Sequence, residues 1–228
     1  MKKIFTLAVM LLSIFAFGAA KHTQMIVVTS DDYNTSNAKL QRYHLKNSKW
    51  QKVGQEVDIK IGRNGMGWGL GLHKIPKNAS IIKKEGDGKS PIGIFKLGNA
   101  FGYEPFDTKY PYNVMQEYHH CVDDGKSRFY NRIINSNMRI VKDYTSYENM
   151  KFPANYYKYG IVVNHNPDNI PGRGSCIFMH IKEIPTSGCD AMSEDEIKEV
   201  IAWLKKEANP ILVQAPKSEI KQLLDQVK

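Results

Sequence analysis

Gly174-Ser-Cys-Ile-Phe-Met-His180 runs directly into Ile181-Lys-Glu-Ile-Pro-Thr-Ser-Gly-Cys189, and this stretch organises the chain. It predicts an apolar strand ending in a histidine, a loop broken by Pro185, and a small-residue turn ending in a cysteine. A histidine and a cysteine brought together in this way suit a thiol nucleophile served by a general base, since the thiolate is the form that attacks a carbonyl. Gly188 permits close backbone approach, which makes the N–H groups of Ser187 and Gly188, on the way to Cys189, candidates for an oxyanion hole. Spacing alone leaves the bland alternative open, because an unpaired cysteine is commonly a small core residue.

Immediately downstream, Ser193 followed by Glu196 forms a capping box ahead of a helical stripe of Ile197, Val200, Ile201 and Leu204. Lys205 and Lys206 are expected in its last turn, and Asn209-Pro210 ends it. A buried-type strand over 211–214 and a short amphipathic helix over 217–227 close the chain. Upstream, Gly160 to Asn164 is β-branched, and so is Met25 to Thr29. Runs over 39–45, 49–53 and 57–61 alternate, with turn signals at Asn47-Ser48 and Gly54-Gln55. Ile92 to Leu97 is a further strand, fed by the loop Gly86-Asp-Gly88. The expected fold is therefore mainly β with peripheral helices (α+β), arranged as a β-sandwich of mixed sheets with a capped helix after Cys189.

Gly65-Met-Gly-Trp-Gly-Leu-Gly71 places glycine at every second residue. Leu70 stands where a dinucleotide fingerprint needs glycine, so the pattern predicts close packing on one face of an extended segment. Gly88-Lys89-Ser90 is not a phosphate loop, because Lys83 replaces the required glycine and Pro91 opposes a following helix. Residues 99–157 are rich in tyrosine and turns, and predict long loops with short helices near 127–134 and 146–150. Their tyrosines either line a groove or pack beneath the loops. His119-His120-Cys121 matches no usual zinc spacing, so no metal and no cofactor is expected. If Cys189 is a thiol, Cys121 and Cys176 remain either as buried thiols or as a disulfide formed in an oxidising compartment.

Thr186-Ser-Gly-Cys189 preceded by His180 resembles the active-site signature of L,D-transpeptidases, the YkuD-type cell-wall enzymes. The likeness extends to Glu85-Gly-Asp-Gly-Lys-Ser-Pro-Ile-Gly-Ile-Phe95, to Tyr159-Gly-Ile-Val-Val-Asn-His-Asn166, and to Gly172-Arg-Gly-Ser-Cys-Ile-Phe-Met-His180. Val122 to Asn131 resembles a segment of one subgroup. Ser187 stands where many members carry histidine, and only eight residues separate His180 from Cys189, which resembles a short-loop subgroup.

The resemblance implies Cys189 as nucleophile and His180 as general base and acid. Substrate contacts are assigned to Arg173 (whose paired donors suit a carboxylate), Ser175, Thr186 and Tyr118. The implied reaction releases D-alanine from peptidoglycan stem peptides and joins them by 3-3 cross-links through a thioester. Water in place of the acceptor amine makes an L,D-carboxypeptidase, and an inert Cys189 leaves a wall-binding module of the same fold.

Lys2 and Lys3, an apolar run from Ile4 to Phe17 and Gly18-Ala19-Ala20 predict a cleavable signal over 1–20. The run is shorter than the ~20 residues of a membrane span. Removal leaves 208 residues and, with Lys2 and Lys3 gone, takes the formal charge from +9 to +7. One domain over 21–228, with a core near 60–215, accounts for that length. An exported monomer in the periplasm or on the cell wall is expected, without a remaining membrane span. The basic balance suits an anionic partner such as wall polymer, although a solvated surface explains most of the scattered lysines, and no basic stripe with interleaved aromatics argues for nucleic acid.

Overall fold

A computed structural model describes residues 21–151 and 153–227; the expected signal over 1–20 lies outside the described residues. The strands are β1 (Gln24–Ser30), β2 (Asn37–Lys46), β3 (Lys49–Lys60), β4 (Met66–Trp68), β5 (Ser90–Gly102), β6 (Tyr112–Val114) and β7 (His119–Val122). β8 (Arg132–Asn135), β9 (Tyr147–Asn149), β10 (Tyr159–Val163), β11 (Phe178–Ile181), β12 (Asp190–Met192) and β13 (Ile211–Pro216) follow. The helices are α1 (Glu194–Trp203) and α2 (Lys217–Leu224). The protein is mainly β, with mixed parallel and antiparallel pairing.

Strand order in the large sheet is β10-β11-β12-β3-β2-β1-β13-β5-β4, with β6 beside β5. β5 is the corner of the sandwich. Its first half pairs with β13 from Gly93 to Lys96, and its second half pairs with β10 from Leu97 to Gly102. The path therefore returns on itself around a core of Ile26, Val28, Phe95, Ile161, Met179, Ile211 and Val213. α1 closes one side of this core with Ile197, Val200 and Ile201. Its capping box forms as the sequence predicts, Ser193 accepting from Glu196 N–H and Glu196 accepting from Ser193 N–H.

Several expectations give way. α1 ends at Trp203, and Leu204 turns extended with its side chain fully buried, so Lys205 and Lys206 lie beyond the last turn. Burial of Leu204 outweighs the favourable placement of cations at the helix end. β3 runs straight through Gly54-Gln55, where a turn was expected, and the register shifts between Leu40 and Arg42. Gly54 has φ +68°, and a Cβ there would stand 2.3 Å from the Arg42 guanidinium. Asn47-Ser48 is the true hairpin turn, both residues having positive φ.

The expected helices near 127–134 and 146–150 are instead turns and strands. β8 and β9 flank β7 in a separate three-stranded sheet, order β8-β7-β9. Ser127 Oγ and Arg128 N–H are both held by Asp143, which fixes the turn before β8 and leaves Ile133-Ile134 to pair with His120 and Cys121. The alternating glycines pack as expected. A Cβ at Gly69 would strike Pro91 and His165, and one at Gly71 would strike the Ile94 carbonyl.

Candidate active site

β11 and β12 are parallel, with Met179 beside Asp190 and His180 beside Ala191. Side chains alternate across a strand, so this register turns Phe178, His180 and Cys189 to one face and Met179 and Asp190 to the other. The first face meets the three-stranded sheet in a small apolar cluster of Phe101, Met115, Cys121, Met150, Cys176, Phe178 and Cys189. The structure thus brings His180, on β11, and Cys189, just ahead of β12, to one face.

The Cys189 sulfur is held by backbone. Phe178 N–H donates to it at 3.3 Å, and it donates to the Cys176 carbonyl at 3.5 Å. Burial pushes the Cys189 thiol far above its ordinary range, and the charge of Glu148 pushes it further in the same direction. Burial likewise pulls His180 down to about 4. Its Nδ1–H donates to the Ile181 carbonyl at 3.0 Å, which leaves Nε2 as the nitrogen able to accept a proton. At neutral pH the pair is therefore an uncharged thiol and an uncharged imidazole.

The turn before Cys189 is fixed by Thr186. Thr186 Oγ1 donates to the Cys189 carbonyl at 2.6 Å and accepts from Gly188 N–H at 3.0 Å. It is buried, and these two bonds make it a brace of the turn. Gly188 has φ +149°, and a Cβ there would lie 2.9 Å from the Lys89 carbonyl, which only glycine tolerates. Its N–H, expected to serve an oxyanion, is engaged by Thr186 in this arrangement. Ser187 is exposed and its hydroxyl accepts from Arg63 at 2.8 Å.

The other expected contacts have partners within the chain. Ser175 is buried and donates to Glu85 at 2.7 Å, sharing that carboxylate with the Tyr130 hydroxyl. Arg173 belongs to the loop that holds His165, whose Nε2–H donates to the Arg173 carbonyl at 2.9 Å. Tyr118 lies against the His119 ring at 4.7 Å, at the end of the three-stranded sheet. His119 and His120 are structural. His119 Nδ1 accepts from Gln116 N–H, and His120 stacks on Tyr147 at 3.8 Å. Among the described residues, no group of three or more His, Cys, Asp or Glu is placed to hold a metal ion.

Three residues beside the pair carry no motif. The Tyr157 ring stands edge-on to His180 at 5.2 Å, its hydroxyl donates to Glu148, and Lys182 follows β11. Tyr147, Glu148, Asn149, Tyr156, Tyr157 and Lys182 line a cleft of about 540 Å³. A tyrosine-rich stretch hinted at a groove, but the pairing of β9 with β7 is what carries Glu148 there.

Cys121 and Cys176 form a disulfide, which settles the alternative left open by the sequence. Cys176 sits in a left-handed conformation with φ +54°, and its N–H donates to Asn131 Oδ1 at 2.9 Å. Asn131 in turn donates to the carbonyls of His165 and Asn166 at 3.0 Å. The loop leading into β11 is thus tied on two sides before it reaches Phe178.

No protein-family model matches the chain, and no curated protein matches it. Two solved structures are similar to it, the helical cell shape determining protein Pgp2 from Campylobacter jejuni and a point mutant of that protein. They are 16% and 17% identical to this chain, each with a TM-score of 0.44. The alignments cover 88% of this chain and 50% and 49% of those structures, so the chain spans about half their length. Among the described residues, no helix is long and apolar enough to cross a membrane.

Proposed function

We propose that this protein is an exported, cysteine-dependent L,D-transpeptidase of the YkuD type acting on peptidoglycan stem peptides. The observation that carries the reading is the parallel β11–β12 register, which sets His180 and Cys189 on one face with the sulfur held by Phe178 N–H. The neutral resting pair implies general-base chemistry and not a preformed ion pair. As Sγ attacks the carbonyl between the diamino acid and D-alanine, the thiol proton passes to His180 Nε2. The oxyanion falls to the N–H groups of Ser187 and Cys189, Gly188 N–H being held by Thr186. The imidazolium then protonates the leaving amine, the C–N bond breaks, D-alanine departs, and a Cys189 thioester remains. An amine from a second stem peptide resolves it into a 3-3 cross-link.

Incubation of residues 21–228 with purified disaccharide-tetrapeptides, followed by mass spectrometry, tests this. Dimers lacking one D-alanine are expected, with none from Cys189→Ala at unchanged fold. Unaltered substrate, or equal turnover by Cys189→Ala, sinks the mechanism; tripeptide monomers alone replace transfer with hydrolysis.

A further inference from the structure

The cleft beside the pair has an unusual wall. Glu148 comes from β9 in the small sheet, Tyr157 precedes β10, and Lys182 follows β11, so three separate segments converge on it. Glu148 accepts from the Tyr157 hydroxyl, and Lys182 Nζ lies 5.0 Å over the Tyr156 ring, near enough for its charge to act on the Glu148 carboxyl. Tyr157 belongs to the cluster that holds Cys189 and touches His180 edge-on, which places the cleft against the reacting pair. An acid and a cation on one tyrosine-walled cleft complement an amino group and a carboxylate carried on one carbon.

We propose that the Glu148–Lys182 cleft is the acceptor site, taking a zwitterionic primary amine whose ammonium meets Glu148 and whose carboxylate meets Lys182, with Glu148 as the base that frees the attacking nitrogen. The inference rests on the thioester chemistry above and specifies its second half. The ammonium loses one proton to the Glu148 carboxylate, and the nitrogen attacks the thioester carbonyl. The C–N bond forms and the C–S bond breaks. The second proton passes through His180 to the departing Cys189 sulfur, and Glu148 returns its own to solvent.

The ionisation of Glu148 suits this task. Burial raises its carboxyl to about 7, opposed by the hydrogen bond from Tyr157. Asp123 and Glu85 raise it further and Lys182 lowers it, while Cys189 and His180 face it uncharged across Tyr157. A base poised there alternates between both states at working pH.

The test loads Cys189 with a disaccharide-tetrapeptide donor, then follows loss of the acyl-enzyme by mass spectrometry with added D-methionine or D-methioninol, from pH 5.5 to 9. Wild type should transfer to D-methionine with a rate rising through about pH 7. Glu148→Gln keeps an acceptor for the Tyr157 hydroxyl and should melt near wild type. Its transfer rate should fall about 30-fold or more, lose the rising limb, and fall at least tenfold further than its acylation rate. Lys182→Met should raise KM for D-methionine about tenfold and leave D-methioninol unchanged. Transfer by Glu148→Gln with the wild-type rate and pH profile overturns the assignment, as does a wild-type acyl-enzyme that only water resolves. A wild type that never acylates fails at the earlier step and overturns the thioester reading itself.

Discussion

Replacing both members of the Cys121–Cys176 disulfide by alanine should destabilise the protein by about 4 kcal/mol. The bond closes a loop with a sequence separation of 55 residues. In the chain-entropy treatment, a loop of that length removes about 14 cal/mol/K from the unfolded ensemble, or about 4 kcal/mol at room temperature. For a domain of this size, each kcal/mol moves Tm by about 2–4 °C, so a fall of about 8–16 °C is expected. Alanine avoids burying hydroxyl groups in an apolar cluster, which would add a separate cost. Urea unfolding of the oxidised wild type and the double variant measures the difference, and dithiothreitol on the wild type should reproduce most of it. A loss below about 1 kcal/mol would refute the reasoning, showing that the small sheet holds its place without the covalent tie. The same change should reach the active site. Cys121 pairs directly with Glu148 across β7 and β9, and the Cys176 carbonyl receives the Cys189 thiol proton.

Two further outcomes follow from buried ionisable groups. Iodoacetamide should alkylate Cys189 at pH 7 about 100-fold more slowly than a free cysteine, with the rate still climbing above pH 9; a plateau near pH 6 would instead reveal a thiolate–imidazolium pair. Asp190 is fully buried, and burial raises it from 3.8 to about 8 against the opposing influence of Ser90. Because its folded pKa exceeds its unfolded one, the native state binds the extra proton, and Asp190 costs stability increasingly as pH rises from about 4 to 8. Asp190→Asn should therefore gain Tm over wild type across that window; parallel Tm profiles for the two proteins would exclude the assignment.

Much of the large sheet is written locally. The run Ile177 to Met179 is apolar enough to read as a strand, and Ser193 with Glu196 marks the next helix without any tertiary knowledge. The small sheet is not written that way. His119–Val122, Arg132–Asn135 and Tyr147–Asn149 are three or four residues long, too short for a period to show. Their pairing depends on the Asp143 brace at Ser127 and on a disulfide whose partner is 55 residues away. Glu148 consequently looks like an ordinary loop acid in sequence, and its position beside Tyr157 is a tertiary fact. The part Thr186 plays in the turn was hidden for a related reason. A hydroxyl three residues before Cys189 is compatible in sequence with touching substrate and with holding the turn, and its bond to the Cys189 carbonyl is visible only in the fold.

The two sheets divide the work of the site. The large sheet places Cys189 and His180 through one parallel register, and its Thr186 and Gly188 turn fixes where Sγ stands. Such an arrangement is rigid but unreactive at rest, because burial disfavours charge on both Cys189 and His180. Separating a proton between them becomes worthwhile only when a carbonyl is present to receive the electrons from sulfur. Glu148, the carboxyl group on the small sheet nearest neutrality, reinforces this restraint: while ionised, it opposes thiolate formation. A bound ammonium would neutralise that charge, so occupation of the acceptor cleft would ease Cys189 toward its reactive form. The proposed acceptor site would thereby couple donor and acceptor steps through one carboxylate, and a zwitterionic amine should accelerate acylation as well as transfer in wild type but not in Glu148→Gln.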